Sequence, residues 1–150
     1  MTTKTSDNRS LEIQRIIKAP RERVYAAWTD PAQLQQWFGP DGVKTVRFAA
    51  DPRVGGKYSW RLVNQENEEM TVHGEYRELQ SGRKIVFTWQ WEDDDAWKEQ
   101  SSTVTVELSD CEGGTLVRLS HEQLPSEASR DRHNQGWTGV LDKLENFLAK

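Results

Sequence analysis

The sequence has one cysteine, Cys111, so an intrachain disulfide cannot hold it together. A lone thiol suits a reducing cytoplasm. Long apolar runs are missing too: the longest, Val24 to Trp28, is five residues, too short for a transmembrane helix. The start, Met1 to Arg9, has no apolar stretch of the kind a secretory signal needs. A cytoplasmic location without membrane insertion is the expectation. There is no excess of basic charge either. Lys and Arg number 20 against 24 Asp and Glu, a net charge of −4. Without a basic footprint to displace counterions, nucleic acid is not an expected partner.

Signatures of bound groups are equally scarce. Gly55-Gly56 and Gly113-Gly114 read as turns, not as phosphate-binding loops. No His, Cys or carboxylate set has zinc spacing. The acidic run Glu92 to Asp95 lacks the glycine and distant Glu of a calcium loop and reads as solvated. Cys111 sits in a turn beside Asp110 and Glu112, whose charges disfavour a thiolate. Neither a metal nor a cofactor is expected.

What is present is a chain of 150 residues, one domain's worth, with seven tryptophans although only 35% of it is hydrophobic. Mean hydropathy is −0.86. A chain of this length buries ~68–70% of its unfolded surface and needs no staple to fold. Residues 1–10 are polar and predict a flexible tail; 11–150 predict a single domain. Alternation predicts a first strand over Leu11 to Lys18. Ala19-Pro20 opens a short helix carrying Val24 and Trp28 on one face, with Pro20 at the first helical position. Asp30-Pro31-Ala32-Gln33 opens a second, with Asp30 as cap and Gln33 as its capping-box partner. Leu34, Trp37 and Phe38 form that helix's apolar face, and Gly39-Pro40 stops it.

Six strands follow. Val46, Phe48 and Ala50 alternate in the first, and Tyr58, Trp60 and Leu62 in the second. Met70, Val72, Gly74 and Tyr76 share one side of the third, opposite His73, Glu75 and Arg77, so that His73 is expected to be exposed. Ile85, Phe87, Trp89 and Trp91 put three aromatic rings on one face, because the strand period is two. Val104, Val106 and Leu108, then Val117, Leu119 and His121, mark the last two. The period then changes to three and four at His133, Trp137, Val140, Leu141, Leu144, Phe147 and Leu148. It predicts a helix from about Ser129 to Leu148. Gly136 and Gly139 weaken this helix by ~1 kcal/mol each, and close approach of another backbone is the expected reason for them. An antiparallel sheet with one apolar face must cover it, and only the last helix is long enough.

The motifs, taken in order, resemble a known family. They are Ile17-Lys18-Ala19-Pro20, then Asp30 through Pro40, Val54-Gly55-Gly56-Lys57-Tyr58 and Phe87-Thr88-Trp89. Gly113-Gly114-Thr115, Ser120-His121-Glu122 and His133-Asn134-Gln135-Gly136-Trp137 complete the set. Over residues 11 to 148 the chain resembles the START-like, or SRPBCC, superfamily. Within it, the branch is that of the C-terminal domain of the activator of heat-shock protein 90 ATPase. The resemblance implies an α+β helix-grip fold. In it a curved antiparallel seven-stranded sheet wraps a long C-terminal helix, with two short helices after the first strand. It also implies a cavity between sheet and helix that takes small apolar ligands.

Under that implication the cavity lining comes from the aromatic faces: Trp37, Phe48, Tyr58, Trp60, Tyr76, Phe87, Trp89 and Trp91. From the last strand and the helix come His121, His133, Trp137 and Leu141, with the two histidines expected to meet near one end of the cavity. Period alone does not sort rings that line a cavity from rings that fill a core. No nucleophile or carboxylate is placed beside either histidine by spacing, so no catalytic residue is assigned. The leading expectation is a non-enzymatic binding protein for a small hydrophobic, aromatic or lipid-like, molecule. The second is a protein-interaction module, a co-chaperone-like regulator of a heat-shock-protein-90-type ATPase. At this length the separate N-terminal domain of the eukaryotic activators is not expected. The third is a cyclase- or hydrolase-like enzyme using the same cavity.

Overall fold

The computed structural model describes residues 8–39, 42–92, 94–98 and 100–149. Residues 1–7 of the expected tail, Pro40 of the expected helix stop, Asp93 of the acidic run and Lys150 lie outside these. The chain begins with β1 (Leu11–Ile17), α1 (Arg21–Thr29) and α2 (Pro31–Trp37). Six strands follow: β2 (Lys44–Ala50), β3 (Lys57–Val63), β4 (Glu69–Gln80), β5 (Lys84–Trp91), β6 (Ser102–Cys111) and β7 (Gly114–Glu122). The long helix α3 (Glu127–Leu148) comes last. All strands pair antiparallel in the order β1-β7-β6-β5-β4-β3-β2. The α1–α2 segment therefore carries the chain from one sheet edge to the other. This is the helix-grip α+β architecture.

The alternation read from the sequence becomes one buried face. Tyr58, Trp60 and Leu62 of β3 are buried on it, as are Ile85, Phe87 and Trp89 of β5 and Val104, Val106 and Leu108 of β6. The α3 stripe of Trp137, Val140, Leu141, Leu144 and Leu148 is buried as well, and Trp137 reaches Trp89 of β5 with ring centres 5.0 Å apart. At the far edge, Arg15 of β1 pairs with Asp142 at 2.6 Å and with Glu145 at 3.3 Å, tying the sheet margin to the helix. Such exposed pairs contribute only ~0.2–1 kcal/mol each; the apolar face does most of the holding.

Local details depart from the sequence expectation for identifiable reasons. Pro20 is the cap of α1 and Arg21 its first residue. Asp30 caps α2 as expected, its carboxylate accepting from the Ala32 N–H at 3.1 Å. Gln33 bonds that carboxylate instead of closing a capping box, because the Asp30 N–H is already given to the Ala26 carbonyl that ends α1. Helix α3 starts earlier than expected, at Glu127, where Ser126 accepts from the Ser129 N–H. Val46 does not share the Phe48 face: the β2–β3 register slips between Thr45 and Arg47, and Val46 is 52% exposed. An extra residue in a strand turns the side chains before it to the other side. His73 is half-buried, not exposed. At Gly74 in β4 a side chain is sterically excluded. A Cβ there would lie 1.9 Å from the Thr88 carbonyl oxygen, which accepts the Tyr58 hydroxyl proton.

Candidate functional site

The helix does not cover the whole concave face. Between the β3–β5 part of the sheet and the N-terminal half of α3 lies a cavity of about 320 Å³. Its sheet side is Trp60, Leu62, Met70, Trp89 and Trp91; its helix side is His133, Gly136, Trp137 and Val140. Val43, Asn64 and the exposed Asp94 and Arg132 also border it. Trp97 completes the wall from a short 3-10 helix, Asp95–Trp97, between β5 and β6. Asp94 caps that turn by accepting from the Ala96 N–H, and Trp97 is 1% exposed. Five of the seven tryptophans therefore face one space.

A second void, about 20 Å³, lies among Trp28, Leu34, Phe38, Phe48, Tyr58, Tyr76, Phe87 and Trp89. That is room for about one water, so this end of the concave face is packed. Burial, with some help from Tyr76, pushes the Tyr58 hydroxyl well above its usual value. Burial, then the charge of Asp51, pushes Tyr76 up to about 12. The twelve residues singled out from the sequence thus fall into three groups. Trp60, Trp89, Trp91, His133 and Trp137 line the cavity. Phe48, Tyr58, Tyr76 and Phe87 surround the small void with Trp89. Trp37, His121 and Leu141 border neither and are buried in the core. Trp97, Gly136 and Ser102 carried no expectation as site residues. The only sequence signal for Trp97 is the Asp94-x-Ala96 turn that fixes its backbone.

Two histidines organise the polar groups. An indole N–H can only donate, so the Trp137 bond to His121 Nδ1, 3.0 Å, makes Nδ1 the acceptor. The neutral ring then carries its proton on Nε2 and donates to Ser102 Oγ at 2.7 Å. The Ser102 hydroxyl donates in turn to the Trp89 carbonyl at 2.7 Å. His133 takes the opposite tautomer. Its Nε2 accepts from Trp89 Nε1 at 3.2 Å and Trp91 Nε1 at 3.0 Å, and its Nδ1–H donates to the Ser129 carbonyl at 2.8 Å. The imidazoles meet edge to face, centres 5.1 Å apart and planes at 89°.

The surroundings disfavour the charged form of both rings. Burial first, and the neighbouring His133 second, hold His121 well below the usual imidazole value of 6.5. Burial also lowers His133; the Ser129 carbonyl opposes this and the Arg132 charge adds to it. The Ser102–His121 pair is not an activated nucleophile. The imidazole nitrogen facing the hydroxyl carries the proton, so it offers no lone pair to remove another. Both residues are fully buried and neither borders the cavity. Among the described residues no group of three or more His, Cys, Asp or Glu is placed to hold a metal ion, and no helix is long and apolar enough to cross a membrane.

A curved sheet gripping a helix, with an aromatic cavity between them, is the architecture of the START-like helix-grip proteins. The chain matches the model of the "Activator of Hsp90 ATPase homolog 1-like protein" family over residues 18–149, and it belongs to that family. Solved structures agree. The AHSA1 protein of Silicibacter pomeroyi is 31% identical, with 93% of this chain and 97% of that one covered and a TM-score of 0.82. A protein from Chromobacterium violaceum is 27% identical over 93% and 96% of the two chains, with a TM-score of 0.84. A solution structure from Arthrobacter aurescens, 20% identical over 93% and 86%, has the same fold at a TM-score of 0.81. No curated protein matches the chain.

Proposed function

We propose that this protein is a non-enzymatic binding protein for a small aromatic or lipid-like molecule, held in the tryptophan-walled cavity. The cavity itself carries the reading: about 320 Å³ of open space faced by five indole rings. This volume lies at the lower end of the ~300–1,000 Å³ typical of small-molecule sites. Large rings facing empty space lose dispersion contacts that a flat apolar ligand restores. The single half-buried Cys111 is in keeping with work in the cytoplasm.

Membership of the family favours a second reading, a regulator of a heat-shock-protein-90-type ATPase. Less supports it, because among the described residues the large apolar side chains that are exposed do not gather on one face. Ile16 is on β1 at one sheet edge, while Val46 and Val54 are on β2 and the turn after it at the other.

The test is native mass spectrometry of the purified protein for a retained small molecule, followed by titration with planar aromatic and fatty compounds. The expected result is quenching of Trp fluorescence and a raised Tm, with weak salt dependence because apolar contact drives binding. A diverse panel that gives neither quenching nor a thermal shift at saturation would move the assignment to the chaperone partner.

A further inference from the structure

The hydrogen-bond arithmetic of the cavity wall specifies more than an apolar occupant. The Trp60 N–H is given to Thr45 Oγ1 at 2.9 Å, and the Trp137 N–H to His121 at 3.0 Å. Trp89 and Trp91 differ. Both N–H groups are directed at one atom, His133 Nε2, at 3.2 and 3.0 Å. A neutral imidazole nitrogen has one in-plane lone pair. It satisfies one donor fully, and two donors share it poorly. All three residues border the cavity. Trp91 is half-buried at the end of β5, whereas Trp89 is 4% exposed within it. Of the two donors, Trp91 is the less enclosed.

We infer that the cavity selects a compact, flat aromatic ligand bearing one oxygen acceptor, such as an aryl ketone, and that this oxygen takes the Trp91 N–H while Trp89 keeps the His133 lone pair. This rests on the ligand-binding reading above and adds its polar requirement. At this junction a ligand donor gains nothing, since the one lone pair is already claimed twice. Preference for the oxygen that is lost with the Trp91 N–H is diagnostic. Burying a carbonyl against a wall without a donor weakens binding, so a purely apolar cavity would prefer the hydrocarbon.

The probes are fluorenone and fluorene, two fused-ring molecules of nearly the same shape that differ in a carbonyl. Calorimetric titration of the wild-type protein is expected to give fluorenone an affinity roughly fivefold tighter, the ratio of one net hydrogen bond. Fluorenone, but not fluorene, is expected to shift the Trp91 indole N–H resonance downfield in an ¹H–¹⁵N spectrum. In Trp91→Phe, which keeps an aromatic ring and loses the N–H, the preference should vanish or reverse. Equal binding of the two probes to the wild type, or tighter binding of fluorene, overturns the acceptor requirement and leaves the binding reading standing. Failure of both probes to bind overturns both. If Trp91→Phe fails to fold, the wild-type ratio and the resonance shift still decide the matter.

Discussion

Acid should destabilise this protein through a residue far from its surface. His121 is 0% exposed, and its neutral ring accepts from Trp137 and donates to Ser102. Protonation would put a second N–H against the indole N–H and leave a charge in an apolar core. The folded state therefore holds the imidazole well below the ordinary value of 6.5. A group depressed in the fold stabilises it above the unfolded value, and that stability is lost as pH falls. Below about pH 6.5 the unfolded chain takes up a proton that the folded chain refuses, and each further pH unit costs about 1.4 kcal/mol. Between pH 7 and pH 5 the loss from His121 comes to about 2 kcal/mol while the folded ring stays neutral. His133 is lowered as well, so its titration adds to the loss in the same direction. The comparison protein is His121→Gln, whose uncharged amide still offers an acceptor and a donor. Urea melts of both proteins at pH 5, 6 and 7.5 give ΔG against pH, and groups common to both cancel in the difference. The wild type should lose about 2 kcal/mol more than the variant across that window. Parallel pH slopes would refute the reasoning, because His121 would then titrate alike in folded and unfolded chains.

Three further outcomes are expected. Trp137→Ala removes a ring that is 2% exposed and leaves His121 Nδ1 without its donor; denaturant melts should show a loss of ~3–5 kcal/mol, and a loss below ~1 kcal/mol would contradict the packing. Gly136 lies in α3 with nothing within 4 Å of where its Cβ would be. Gly136→Ala should therefore raise stability by up to ~1 kcal/mol while its methyl intrudes on the cavity and weakens aromatic probes; a lowered urea midpoint would count against this. Calorimetry with zinc and with calcium should show nothing tighter than ~100 μM, because no ligand set converges; a stoichiometric sub-micromolar site would overturn that.

Gly136 also shows where sequence reasoning stops. The periodicity on either side of it places the helix and its buried stripe, and a glycine there suggested another backbone pressed close. The space beside it is open, and it forms part of the cavity wall. Helix period reports which side faces inward; it carries no information on what, if anything, fills the inside.

The sequence by itself determined the seven strands, the two short helices and the long one, because side-chain period, turn residues and caps are local properties of the chain. It also determined which rings face inward on β3 and β5 and that His121 and His133 lie on inward-facing positions. Tertiary structure alone decided the rest. The slip between Thr45 and Arg47 put Val46 outside, since register depends on the partner strand. Folding brought Trp97 from a loop into the wall, where no periodicity could place it. It closed the sheet around Phe48, Tyr58, Tyr76 and Phe87 until only about 20 Å³ remained, and left about 320 Å³ beside Trp60, Trp91 and Trp137. It also fixed the two imidazoles in opposite tautomers, because the indole donors that set them come from β5 and from α3. Which aromatic surfaces touch and which face a space depends on how far the sheet curls and where the helix crosses it. Those are sums over long-range contacts, and no local pattern encodes them.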